Sequence, residues 1–408
     1  MSEESLLHPV IRDSQESPIR AMLALAGEPD MISLAGGHPD PALLPRDWLV
    51  EAVQGVLPQL DAKALQYGGT EGVMALREAV CPVLATRFIA ATPAEILITT
   101  GSQQGISLLA RVLIEPGDSV AMARYNYPAA LQAFKFSGAR VHALNDDLEG
   151  LAELARSVDA KRLKAVYVVP SFANPTGHTL SEAARLRLLD EAARVGICVI
   201  EDDPYGELWF EQPPPRSLYA LNQVNGIGAY VVYLTSFSKT VLPALRLGAL
   251  LAPPAIHRAV KLAKQACDVH SGSLEQLFLC RMLQSDRLDS HLELLRAAYR
   301  LKADALARAL RATTGEMLQF AQPAGGMFIW AQLLPAARAL NDIDWFSFGR
   351  RHRVLALPDK AFATQGVAGP YIRLSFANPT VEAIRKGVER LARGLAAEMK
   401  GRSERVAV

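Results

Sequence analysis

Lys239 lies in the run Leu234-Thr235-Ser236-Phe237-Ser238-Lys239-Thr240, and Arg246 follows seven residues later in Leu245-Arg246-Leu247-Gly248. Most lysines are solvated surface charges. A lysine flanked by hydroxyls directly after an apolar strand has another use, because a desolvated amine with a lowered pKa is the residue type for Schiff-base chemistry. Three further stretches carry polar groups at the ends of apolar runs. Thr99-Thr100-Gly101-Ser102-Gln103-Gln104-Gly105 lies where a strand gives way to a helix. Free N–H groups and a positive dipole end suit that place to a phosphate, although Ser102 reads as readily as an ordinary N-cap. Val169-Pro170-Ser171-Phe172-Ala173-Asn174-Pro175-Thr176-Gly177 contains good turn chemistry. Val199-Ile200-Glu201-Asp202-Asp203-Pro204-Tyr205 places carboxylates after a strand, where they are solvated, cap the next element, or hold a cation or a protonated ring nitrogen.

These stretches need a scaffold that gathers strand ends. Short apolar runs at 96–99, 119–123, 165–169, 198–201 and 230–235 alternate with helical patterns at 103–113, 128–136 and 181–195. Several runs are hydrophobic almost throughout, as strands covered on both faces must be, so the region reads as an α/β domain with a largely parallel sheet. Ser181 and Gly196 give the third helix its start and stop. Outside this region the chain reads differently. A short helix is expected over 17–26, followed by an irregular Gly- and Pro-rich stretch at 34–45. Later come a long helix at 287–310, strands at 326–331 and 371–375, a final helix at 381–399 and a frayed tail at 401–408. The division expected is residues 1–50 as an N-terminal segment joining the small domain, 51–285 as the large domain, and 286–408 as the C-terminal small α+β domain.

Composition narrows the function classes. The chain has 408 residues, and its 43 Lys+Arg against 42 Asp+Glu disfavour an acidic disordered chain and a generally basic nucleic-acid binder. The four scattered cysteines form no CxxC pair and read as buried, reduced thiols rather than a disulfide framework or zinc site. The eight histidines show no metal-ligand spacing, and His38, His178 and His270 read as polar loop or helix-end residues. No run reaches the roughly 18 apolar residues of a membrane helix, and no secretory leader is visible, so a cytoplasmic location is expected.

The order of these motifs, with a late Tyr371-Ile372-Arg373-Leu374-Ser375-Phe376, resembles the fold-type I pyridoxal 5′-phosphate (PLP) aminotransferases of class I/II over nearly the whole chain. Ser17-Pro18-Ile19-Arg20 and Ile32-Ser33-Leu34-Ala35-Gly36-Gly37-His38-Pro39 are similar to the 2-aminoadipate, kynurenine and lysine-biosynthesis subgroup. The resemblance implies a large domain with a mostly parallel seven-stranded sheet flanked by helices, a smaller α+β domain, PLP as cofactor, and a homodimer with shared active sites. It makes Lys239 the Schiff-base lysine that also moves the substrate's α-proton. Asp202, three residues before Tyr205, becomes the partner of the pyridine nitrogen, in preference to Asp203. Asn174 and Tyr205 become donors to the cofactor's phenolate oxygen. Ser102, Gln103, Ser236, Ser238 and Arg246 form the phosphate cup. Tyr67, in Gln66-Tyr67-Gly68-Gly69, matches the tyrosine that reaches the phosphate of the other subunit, with an ordinary turn aromatic as the plainer alternative. Tyr127 matches the ring that stacks on the cofactor, with Tyr125 as rival, since Arg124-Tyr125 stands where the family commonly has Glu-Pro. Arg373 matches the fork for the substrate α-carboxylate. Gly37 allows close backbone approach, Arg20 faces the substrate's distal group, and His38, in a place that the subgroup often fills with an apolar residue, shapes the pocket.

The activity implied is transfer of an amino group between an L-amino acid and a 2-oxo acid by ping-pong turnover. Glutamate/2-oxoglutarate is one expected couple, and the other substrate is 2-aminoadipate-like, aromatic or branched. A β-lyase, decarboxylase or racemase uses the same motifs, but Arg373 favours transamination by clamping the carboxylate. A non-catalytic, aminotransferase-like sensing domain of a transcription regulator is the rival from another class. It is disfavoured by the early start of the family pattern, which leaves no space for a winged helix, and by the lack of a basic recognition helix.

Overall fold

The computed structural model describes residues 3–7, 9–12, 22, 24–62, 64–158, 162–366 and 369–406. Strand β1 (Ile32–Ser33) precedes a seven-stranded sheet made of β2 (Leu97–Thr99), β3 (Ser119–Ala123), β4 (Arg140–Leu144), β5 (Leu163–Val168), β6 (Cys198–Asp202), β7 (Tyr230–Ser236) and β8 (Gly248–Leu251). The spatial order is β2-β8-β7-β6-β5-β3-β4. All pairs are parallel except those of β8, which runs antiparallel to both β2 and β7. β5, β6 and β7 carry Val, Ile, Tyr and Leu on both faces, and the pleat sends alternate residues to opposite cores. Val120, Tyr167, Ile200 and Leu234 pack under helices Gly101–Leu113 and Pro128–Phe136. Ala121, Val166, Val199 and Val231 pack under helix Glu182–Val195. Gly105 lets the first of these helices approach closely: a Cβ there would lie 2.6 Å from Leu234 Cδ2.

The second sheet is antiparallel throughout, in the order β12-β13-β10-β9, from β9 (Leu318–Phe320), β10 (Phe328–Leu333), β12 (Leu357–Pro358) and β13 (Tyr371–Ser375). β11 (Val354–Leu355) pairs in parallel with β1, which ties the N-terminal segment to this smaller lobe. Helices Leu288–Thr314 and Val381–Val406 pack against each other in the core of the same lobe through Leu306, Leu310, Val388 and Leu391.

Several expectations change. The expected helix at 17–26 lies largely outside the described residues. The last helix continues to Val406 where a tail was expected after 400, because no Gly-Pro signal stops it. Cys198 and Cys280 are buried but Cys267 is exposed, on the solvent side of helix Pro254–Asp268. β4 and β8 were not anticipated. Among the described residues no helix is long and apolar enough to cross a membrane.

Candidate active site

The parallel strands point their C-terminal ends to one edge, where the loops gather a cleft of about 270 Å³. β7 ends at Ser236, and the turn that follows projects Lys239 into this cleft. Its ammonium donates to the Gly37 carbonyl at 2.9 Å. Burial, reinforced by the charges of Arg373 and Arg246, brings its pKa down to about 8. Across the cleft Asp202 is 2% exposed, and burial raises its pKa to about 7. The Tyr167 hydroxyl donates to Oδ2 at 2.7 Å, while Oδ1 has no hydrogen-bond partner among the described residues.

Strand alternation separates three adjacent acids. Glu201 turns to the opposite face, accepts from Leu218 N at 2.9 Å and Tyr219 N at 2.8 Å, and so serves the start of helix Leu218–Asn225. Asp203 turns the same way and accepts from Arg87 Nε at 3.0 Å and the Tyr233 hydroxyl at 3.2 Å. Of the three, only Asp202 lines the cleft.

One wall of the cleft is a cluster of donors. Ser102 and Gln103 lie in the first turn of helix Gly101–Leu113, whose N-cap is Thr100, so Ser102 is not the N-cap it resembled. Ser236, Ser238 and Arg246 face the same space, and Arg246 Nη1 donates to Ser238 Oγ at 3.3 Å. Glycines make this convergence possible. A Cβ on Gly101 would sit 3.1 Å from Arg246 Nη2, and one on Gly248 would sit 2.5 Å from the Thr235 carbonyl and 3.1 Å from Ser102 N.

The smaller lobe supplies Arg373 from the centre of β13, where it pairs with Trp330 and Leu357. It is 2% exposed and donates to Asn174 Oδ1 at 2.6 Å and to the Ala35 carbonyl at 2.5 Å. The guanidinium lies 4.2 Å from the Phe328 ring centre and 4.7 Å from that of Phe362. It has no ion pair among the described residues, Nε has no partner, and burial brings its pKa down to about 9. The irregular strap after β1 is thus held to both lobes: Ala35 accepts from Arg373 and Gly37 from Lys239. Tyr127, Asn174, Tyr205 and Gly37 complete the lining. A Cβ on Gly37 would lie 3.2 Å from Phe328 Cζ.

A model of aminotransferase class I and II matches residues 29–391. The chain belongs to this family. The aromatic-amino-acid aminotransferase 1 of Thermococcus litoralis is 34% identical over 94% of this chain and 92% of its own. The 2-aminoadipate transaminase of Thermus thermophilus is 36% identical over 93% of this chain and 94% of its own. Among solved structures, the α-aminoadipate aminotransferase of Thermus thermophilus, complexed with N-(5′-phosphopyridoxyl)-L-leucine, matches with a TM-score of 0.87 and 33% identity. That match covers 97% of this chain and 99% of the other. The protein is therefore a fold-type I, PLP-dependent aminotransferase acting on amino acids and 2-oxo acids.

The residues of this aminotransferase fit the cofactor. Asp202 Oδ1 is a buried acceptor without a donor, which suits a protonated ring nitrogen. The first-turn N–H groups, hydroxyls and Arg246 suit a phosphate. Tyr127 lines the cleft, whereas Tyr125 packs away from it against Trp330 and Tyr371 and accepts from Gly369 N at 2.9 Å. Two positions stand apart: Tyr67 is 80% exposed, with its ring edge-on to His270, and Arg20 lies outside the described residues.

Two contributors escaped the sequence. Tyr167, on β5 beside β6, orients Asp202 and carries no motif beyond its two-residue offset from Val169. Phe328 lies under the Arg373 guanidinium, at the start of a strand that was visible only as a strand. His38, read both as a polar loop residue and as one that shapes the pocket, lines the cleft, and burial beside Lys239 and Arg373 pushes its pKa down.

Proposed function

We propose that this aminotransferase exchanges an amino group between a 2-aminoadipate-like, aromatic or branched L-amino acid and a 2-oxo acid, with glutamate/2-oxoglutarate as one couple. The names of the two relatives, aromatic and 2-aminoadipate, support that range. The observation carrying the reading is a pair of desolvated cations: buried Arg373, with no carboxylate partner among the described residues, faces the same cleft as half-buried Lys239.

PLP, when bound, supplies an aldehyde that condenses with amines and a ring that spreads the negative charge developing at the substrate's α-carbon. Lys239 Nζ would hold the cofactor through its aldehyde and, as a free amine, would lift the proton from the substrate's Cα and carry it to the cofactor. With a pKa near 8 a substantial fraction of the amine is neutral at mildly alkaline pH, the state a base requires. Arg373 binds the substrate α-carboxylate through its fork and leaves the Cα–H bond to break. Asp202 holds the ring nitrogen protonated, and Tyr167 keeps the carboxylate aimed. Asn174 and Tyr205 donate to the phenolate oxygen, and the ring of Tyr127 covers one face. Ser102, Gln103, Ser236, Ser238 and Arg246 hold the phosphate. Tyr67, exposed on its own subunit, reaches the phosphate of a second copy, so the unit is a homodimer with shared sites. Arg20 and Gly37 face the substrate.

The test is a panel of amino acids presented one at a time to the holoenzyme, following the change in cofactor absorbance, then 2-oxoglutarate and pyruvate presented to the aminated form. Rapid conversion by glutamate and by 2-aminoadipate, aromatic or branched amino acids is expected. Conversion by none of these overturns the substrate assignment.

A further inference from the structure

Lys264 has no exposed surface, yet it lies outside the cleft on helix Pro254–Asp268. Burying a lysine costs free energy unless its protons are all engaged. Here they are: Lys264 Nζ donates to Asp268 Oδ2 at 2.8 Å, Gln104 Oε1 at 2.9 Å and Ser271 Oγ at 3.1 Å. The cluster closes on the residue that begins helix Gly101–Leu113. Thr100 N donates to Gln104 Oε1 at 2.8 Å, and Gln104 Nε2 donates to Asp268 Oδ2 at 2.5 Å. Thr100 Oγ1 lies 2.9 Å from Ser271 Oγ and 3.4 Å from Asp268 Oδ2.

The consequence concerns the helix end. Thr at an N-cap ordinarily turns its hydroxyl onto the N–H groups of the first turn. In this protein the Thr100 side chain makes no such bond. Its hydroxyl is engaged by Ser271 and Asp268, its ψ of 66° and the φ of +73° at Gly101 stand outside capping geometry, and Thr100 leaves the first-turn N–H groups uncapped on the side where Ser102, Gln103 and Arg246 line the cleft.

We propose that the buried Lys264–Asp268–Ser271 cluster is a positioning device that holds the Thr100 hydroxyl off its own helix, keeping the N-terminus open and aimed for the cofactor's phosphate. Lys264 supplies the fixed charge that locks Asp268 and Gln104, and Gln104 restrains the Thr100 backbone by reaching back to its N–H. Released from the cluster, Thr100 and Gly101 relax from their present ψ of 66° and φ of +73° toward the extended N-cap conformation, in which the Thr100 hydroxyl caps the helix and competes with the phosphate. The inference rests on the phosphate cup proposed above.

The full-length chain, freed of cofactor, is titrated with PLP and with pyridoxal, which lacks the phosphate. The ratio of the two affinities isolates the phosphate contribution, which a merely structural lesion does not change. Lys264→Met/Asp268→Leu removes the cluster's charges together, and Ser271→Ala removes one neutral partner in case the double variant does not fold. Each is expected to lower the ratio, the double variant roughly tenfold and Ser271→Ala roughly threefold. Adding Thr100→Val to either is expected to restore part of the loss, because valine cannot cap. Arg246→Ala is the reference. A lowered ratio in Arg246→Ala with an unchanged ratio in the cluster variants overturns the inference and leaves the cup standing. An unchanged ratio in Arg246→Ala overturns the cup itself. Failure of Thr100→Val to restore any affinity overturns the self-capping role.

Discussion

Asp202 is buried and Lys239 half-buried in places where their charged forms are disfavoured, and each leaves a pH signature. Before cofactor binds, Asp202 has a folded pKa near 7 against an ordinary value of 3.8, so the folded chain holds the extra proton between those values. Stability should fall as pH rises through that window. Asp202→Asn removes the charge and is expected to raise the melting temperature of the cofactor-free chain at pH 8.5, to make little difference at pH 4, and to abolish most transamination. Melting scans at the two pH values check this, and equal shifts at both contradict it. For Lys239 the folded pKa near 8 lies below the ordinary 10.5, so the unfolded chain binds the extra proton between them and this group's contribution to stability rises with pH there. Its reactivity should follow the same shift: condensation with PLP in the cofactor-free chain is expected to rise with pH around a midpoint near 8. A midpoint at 10 or above contradicts the desolvated environment. Arg373→Lys keeps charge but loses the fork, and kcat/KM is expected to drop by about 10²–10³-fold, with steady-state kinetics as the check. Lys239, Asp202, Asn174, Tyr205 and Arg373 were legible because each sits in a short motif, the first four at or beyond a strand end and Arg373 in the middle of β13. Tyr167 and Phe328 were not, since their partners come from a neighbouring strand and from the other lobe.

Apart from the fully buried β8, the strands of the large sheet were legible in proportion to how completely they are buried. β3, β5, β6 and β7 show as apolar runs because helices cover both faces. β4, Arg-Val-His-Ala-Leu, is a half-covered edge strand with no apolar run, and β8, Gly-Ala-Leu-Leu, begins with residues of poor strand propensity. β8 owes its place to packing. Its first residue, Gly248, lies so near the Thr235 carbonyl and Ser102 N that any side chain must displace backbone. Gly248→Ala is expected to destabilise the protein by about 1–3 kcal/mol and to weaken PLP binding together with stability. Urea denaturation and cofactor titration check the two effects, and an unperturbed variant contradicts the close approach.

At the scale of the whole molecule, the active site forms where the small lobe's β13 and the strap after β1 meet the strand ends of the large sheet. The sequence showed both lobes but not the strap's course, because its role depends on two backbone carbonyls, those of Ala35 and Gly37, whose donors no motif records. The proposed homodimer adds a prediction. Mixing Lys239→Ala with Tyr67→Ala subunits and allowing exchange should create hybrids with one intact site, recovering about a quarter of wild-type activity from two impaired parents. No gain over the parents contradicts a Tyr67 shared across subunits. The most direct measurement of the central claim is borohydride reduction of the holoenzyme followed by peptide mass mapping. A single pyridoxyl group on Lys239 is expected; a pyridoxyl group on Lys264 or any other lysine, or no adduct at all, contradicts the Schiff-base role of Lys239.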